Sequence, residues 1–157
     1  MTNPVGAVHH LELWVPSLTR AEPEWSWLLG ALGYQPFQHW DSGRSWRLGS
    51  SYLVIEQSPA MTGHEHDRLR PGMNHVAFWC GDRARVDEVV AGAVEHGWKT
   101  LFTERHPWAG GPDHYAGYLA NTDGFEVELV ADERGNRATV ITERSRVVTA
   151  LPLVCWP

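Results

Sequence analysis

The chain repeats itself. The segment Val8-His9-His10-Leu11-Glu12-Leu13-Trp14-Val15 reads against Met73-Asn74-His75-Val76-Ala77-Phe78-Trp79-Cys80, with His10 and His75, and likewise Trp14 and Trp79, 65 residues apart. A duplication of this length constrains the fold more than any single motif. Each half must build the same supersecondary unit, and one unit alone leaves a face of its small sheet bare. Both segments are apolar-rich and bounded by turn or helix-start residues, as strands are.

A helical stretch follows each. In the second copy Asp82 suits an N-cap for residues 83–96, with Val86, Val89, Val90, Ala93 and Val94 on one face and Gly97 as the stop. In the first, Ser17 or Thr19 caps a helix through Trp25, Trp27, Leu28, Leu29 and Leu32 that ends at Gly33, and Pro23 belongs in its first turn. Gly33-Tyr34 and Gly97-Trp98 then open the next strand of each copy. Three strands follow near 34–40, 45–48 and 51–57 in one copy, and near 98–102, 115–120 and 125–130 in the other. Aligning Tyr52-Leu53-Val54-Ile55-Glu56 with Gly124-Phe125-Glu126-Val127-Glu128 makes Glu56 the counterpart of Glu128, the extra residues falling in the 105–114 loop. The expected fold is α+β: two βαβββ modules forming a cupped mixed β-sheet with helices outside, at about 7–57 and 73–131, in a single domain spanning 1–157. A linker covers 58–72 and a tail 132–157. The tail holds a strand-like stretch at 138–140 and an apolar end at 147–156, to dock either on this chain or on a neighbour.

Composition narrows the function. Asp and Glu outnumber Lys and Arg by 19 to 13, giving a net charge of −6, the wrong sign for the basic patch that nucleic-acid binders use. No apolar run approaches the roughly 20 residues needed to span a bilayer, and no signal-peptide pattern is present. Two cysteines, Cys80 and Cys155, make no disulfide framework and suit a reducing, cytoplasmic setting. Nine Trp and nine His point instead to a small-molecule pocket or a metal.

His10 and His75 hold matching places in the first strand of each copy, and Glu56 and Glu128 lie in the last. Strand alternation puts His10, Glu12 and Trp14 on one face and Leu11, Leu13 and Val15 on the other, where the helix packs; Glu126 and Glu128 likewise share a face. A lone strand histidine is usually a satisfied core or pocket residue, and a lone strand-end glutamate is usually solvated. Four such residues at repeat-related places are harder to dismiss. An ionised carboxylate there needs a cation or a strong partner. Two imidazoles and two carboxylates suit a divalent Zn, Ni, Fe, Co or Mn ion.

Met73-Asn74-His75-Val76-Ala77-Phe78 and Asp123-Gly124-Phe125-Glu126-Val127-Glu128-Leu129 resemble the vicinal oxygen chelate superfamily, which includes glyoxalase I, extradiol dioxygenases, fosfomycin-resistance enzymes and bleomycin-binding proteins. The likeness runs over residues 8–130. It implies paired modules cupped around a metal held by His10 (His9 if the register slips by one), His75 and Glu128. Glyoxalase-I-type members add a glutamate at the end of the first module, here Glu56, whereas the dioxygenase type uses two His and one Glu. On that ground the resemblance implies a lyase or isomerase in which the metal polarises a carbonyl and Glu56 or Glu128 moves a proton. No set of basic residues for a glutathione carboxylate stands out, so methylglyoxal is only one of the conceivable substrates.

Two rival readings remain. An Fe(II) extradiol-type dioxygenase would use Tyr118, ten residues before Glu128, with His106 or His114 as acid/base. A drug-binding protein of the bleomycin type would stack a flat ligand on Trp14, Trp40, Trp46, Trp79 and Trp108. Trp14, Trp79, Trp46, His114 and Tyr118 are accordingly the candidate substrate-binding residues. Within the linker, His64-Glu65-His66-Asp67 has the composition of a metal tract but reads better as a solvated loop or a crevice lid. Arg68 and Arg70 either meet an anionic substrate or balance Glu65 and Asp67. Cys80 reads as inert packing.

Overall fold

The computed structural model describes residues 3–132, so the expectations for 138–140 and 147–156 fall outside the described residues. The chain folds as β1 (His10–Trp14), α1 (Leu18–Ala31), β2 (Gln35–Trp40), β3 (Gly43–Leu48) and β4 (Ser51–Glu56), then β5 (His75–Trp79), α2 (Arg83–Ala93), β6 (Lys99–Leu101), β7 (Ala116–Ala120) and β8 (Glu126–Val130). These are two βαβββ units, each a four-stranded mixed sheet, ordered β1-β4-β3-β2 and β5-β8-β7-β6. In both, the first and last strands pair in parallel and the rest antiparallel. No helix among the described residues is long and apolar enough to cross a membrane.

The helix ends follow their caps. Ser17 accepts a hydrogen bond from the Arg20 amide and starts α1; Asp82 does the same for α2 through the Arg85 amide at 2.9 Å. Pro23 departs from its expected place, sitting beyond the first turn of α1. Its missing N–H costs one intrahelical bond, and burial of Leu18, Ala21, Trp25, Leu28 and Leu29 along one stripe offsets the loss. At the other end, α2 tightens into a 3-10 turn over Val94–His96 before Gly97, which stops it at φ 85°. The tightening carries Val94 off the buried stripe, leaving it 61% exposed.

The helix-bearing faces of the two sheets share one core that includes Leu13, Trp25, Leu28, Trp46, Ile55, Val86, Trp98, Val127 and Leu129. Trp25 meets Trp98 edge-on at 5.2 Å and Phe125 at 6.3 Å, contacts that add about 0.5–1.5 kcal/mol each beyond area burial. Polar ties join the modules as well. The Arg85 guanidinium donates to the Ala31 carbonyl at 2.7 Å, Arg20 pairs with Asp123, and the buried Glu24 carboxylate accepts from Asn121 and Thr122. Because the core lies on the helix side, the opposite face of each sheet points away from it. On those open faces His10, Glu12 and Trp14 of β1, and His75 and Trp79 of β5, are exposed, as alternation requires.

Register corrects one equivalence. His10 stands opposite Tyr52 while His75 stands opposite Glu126, so the first-module counterpart of Glu128 is Val54, and Glu56 corresponds to Val130. The 52–56 against 124–128 alignment was two residues out.

Candidate functional site

The second sheet gathers the chemistry. Parallel pairing of β5 with β8 sets His75 beside Glu126 and Ala77 beside Glu128; antiparallel pairing of β7 with β8 sets Tyr118 opposite Glu128. The Glu128 carboxylate is buried at 7% exposure and is approached from three sides. The Tyr118 hydroxyl donates to its Oε1 at 2.5 Å, the His114 Nε2 lies 2.5 Å from the same oxygen, and the His75 Nε2 lies 3.3 Å from Oε2. Burial, and then Glu128, push the Tyr118 phenol well above its ordinary value, so it stays a protonated donor. Gly110 makes room: a methyl group there would run into the His114 ring and the Tyr118 hydroxyl. Next door, Glu126 is 3% exposed and paired with Arg68 at 2.9 Å. Burial raises the Glu126 carboxyl above its usual range against the pull of Arg68 and His75.

His75 bears directly on metal binding. Its Nδ1 lies 2.8 Å from the Asn74 Oδ1, and the Asn74 amide nitrogen donates to the Arg68 carbonyl. With the amide so oriented, the assignable tautomer has Nδ1–H donating to Asn74 and a bare lone pair on Nε2. That lone pair and the Glu128 Oε2 are then two acceptors face to face, an arrangement that calls for a cation between them or a proton on the ring. His75 and Glu128 therefore fit one half of a divalent-metal site.

The other half stands elsewhere. His10 stacks on Tyr52 with ring centroids 4.8 Å apart, its Nδ1 3.0 Å from that of His9. Glu56 ends β4 opposite Trp14 and Gly43, and accepts from the Ser42 hydroxyl at 3.3 Å. Among the described residues no three His, Cys, Asp or Glu side chains converge closely enough to hold a metal ion. The expected His10, Glu56, His75 and Glu128 centre is thus not assembled within one chain, because the modules join through their helices and their open faces do not meet.

The tryptophans divide by face. Trp14, 45% exposed, and Trp79, 64% exposed, lie on the open faces, and the Trp14 indole donates to Glu12 at 2.8 Å. Trp46 is a correction: it is one residue out of phase with Ser45 and Arg47, points to the helix side and is buried in the core. Trp40 covers Gly43, where a side chain would collide with its ring. Trp108 packs edge-on against Tyr115, whose hydroxyl donates to Asp87 of α2, and this ties down the 105–114 loop. His106 sits beside Asp87 at 3.5 Å, away from Glu128. The linker residues His64, Glu65, His66 and Asp67 line a cavity of about 440 Å³ with Arg20, Arg70, Thr122 and Asp123, while Arg70 pairs with Asp67 and Arg68 with Glu126. Sequence reasoning gave Asn74 no role; its place just before His75 was the available signal.

A family model described as the Glyoxalase/Bleomycin resistance protein/Dioxygenase superfamily matches residues 9–118. The chain belongs to that superfamily. It is 40% identical over 125 residues to the uncharacterised Bacillus subtilis protein YqjT, covering 79% of this chain and 98% of the relative. A solved structure from Bacillus halodurans, described as a candidate glyoxalase, is 40% identical with a TM-score of 0.77, covering 82% of this chain and 97% of that one. The lactoylglutathione lyase of Agrobacterium tumefaciens shares the fold at 19% identity, with a TM-score of 0.58 over 82% of this chain and 96% of that one.

Proposed function

We propose that this superfamily member is a divalent-metal-dependent lyase or isomerase that moves a proton on an oxygenated small molecule. The single observation that carries the reading is the His75 Nε2 facing the buried Glu128 carboxylate at 3.3 Å, with its other nitrogen committed to Asn74. His75 and Glu128 would hold the ion. When bound, such an ion supplies Lewis-acid polarisation of a chelated carbonyl. Glu128 would also take a proton from substrate, and His114, 40% exposed and within 2.5 Å of its Oε1, would give that proton a hydrogen-bonded route to solvent. Tyr118 holds the carboxylate in place from the opposite strand. His10 would come from a second copy in a homodimer, while Glu56, in register with Trp14 and four strand residues from the Tyr52 that faces His10, stands outside that ligand set. The exposure of His10, Trp14, His75 and Trp79 on faces turned away from the core supports that closure. The free thiol of Cys80 and the acidic balance fit a cytoplasmic protein without a nucleic-acid partner.

Tyr118 and His114 on one Glu128 oxygen also favour a second reading, the Fe(II) extradiol-type dioxygenase, and the register that takes Glu56 out of equivalence with Glu128 favours it too. Elemental analysis and sedimentation of the purified chain test the first reading. About one transition metal per chain in a dimer, lost in His75→Ala and Glu128→Gln, is the expected result. Fe(II)-dependent oxygen uptake with catechols would move the assignment to the second reading, and a metal-free protein that binds planar compounds tightly would replace both.

A further inference from the structure

Beside His10, the open face of the first sheet carries side chains that the proposed chemistry does not use. Arg47 of β3 stands opposite Tyr52 of β4, which stands opposite His10 of β1. The row is in contact: His10 stacks flat on Tyr52, and the Arg47 guanidinium lies 3.5 Å from the centre of the Phe37 ring and 5.9 Å from that of Tyr52. No carboxylate among the described residues pairs with Arg47, whereas Arg44 is taken by Glu22 and Arg68 by Glu126. The acids on this face are engaged too, Glu12 with Trp14 and Glu56 with Ser42. The matching row of the second sheet runs Ala120, Glu126 and His75, with no arginine in it.

A guanidinium laid over an aromatic ring is held in one plane by its face while its N–H edges stay available, which suits a planar carboxylate gripped by two parallel bonds. With β4 between them, β1 and β3 run roughly 10 Å apart. We propose that Arg47 is the specificity-determining residue of this site and selects substrates that carry a carboxylate a few bonds from the oxygens that the proposed ion would chelate. The carboxylate lies on Arg47 and the oxygens lie toward His10. This rests on the reading of His10 as part of the site.

The test uses the full chain, with and without Mn(II), titrated with 3,4-dihydroxyphenylacetate and with its neutral methyl ester. Wild type should bind the acid at least tenfold more tightly than the ester, and Arg47→Met should reduce that preference to less than twofold while leaving ester binding unchanged. Equal binding of acid and ester by wild type, no binding of either, or a preference that survives Arg47→Met overturns the proposal. Binding that ignores Mn(II) but keeps an Arg47-dependent preference for the acid would remove the metal reading and leave Arg47 in its role.

Discussion

Replacing Tyr118 with Phe removes one oxygen from a buried ring and nothing else. Its hydroxyl donates at 2.5 Å to Glu128, a carboxylate only 7% exposed, so the loss leaves a buried charge short of a donor. Hydrogen bonds to charged groups are worth about 1.5–3 kcal/mol. His114 shares the same oxygen and takes up part of the deficit, which places the expected loss near the lower end, about 1–2 kcal/mol. For a chain of this size that corresponds to a fall in Tm of roughly 2–8 °C. Urea denaturation of the metal-free protein should show a lower midpoint with an unchanged slope. Combining Tyr118→Phe with Glu128→Gln should cost less than the sum of the two, by about 0.5 kcal/mol or more. If Tyr118→Phe is as stable as wild type, or if the two changes are simply additive, the phenol is not what satisfies Glu128 and the account of that carboxylate fails.

Two further expectations concern groups away from the site. Burial raises the Cys80 thiol to about 11, so in a Cys155→Ser background Ellman's reagent at pH 8 should find no reactive thiol in the native protein and one in urea; prompt native reaction would refute this. The same shift favours the protonated thiol in the folded state, so its contribution to stability holds below the ordinary value and fades as pH rises through about 11. His66, stacked on Phe125 at 4.1 Å with a buried Nε2 that has no partner, is shifted down, chiefly by burial and against the opposing pull of Asp67. Its neutral form is the folded one, so the stability it provides is present above about pH 6.5 and is lost as the solution is acidified below that. His66→Phe should flatten that part of a stability–pH curve, and an unchanged acid limb would show that another group controls it.

The duplication, the two capped helices, and the face of each first strand that bears His10 and His75 were legible from the residues alone. All of these are written in local signals: a repeat, a cap residue, a period of two. The sequence also picked out Glu128 and Tyr118, which the structure joins in one hydrogen bond. Tertiary structure decided the rest. Alternation detects a slip of one residue, which turns every side chain over, but not a slip of two, which keeps the face. Val54 and Glu56 lie on the same face of β4, so only the pairing of β4 with β1 shows that Val54 corresponds to Glu128. Trp46 belongs to the core because pairing with β4 sets the phase of β3, turning Trp46 to the side of Leu53 and Ser45 to that of Val54. The largest decision was how two bare modules would cover themselves. Trp25, Trp98 and Phe125 draw the helix sides together, and that choice, made by long-range apolar burial, leaves His10 and His75 facing outward on separate sheets.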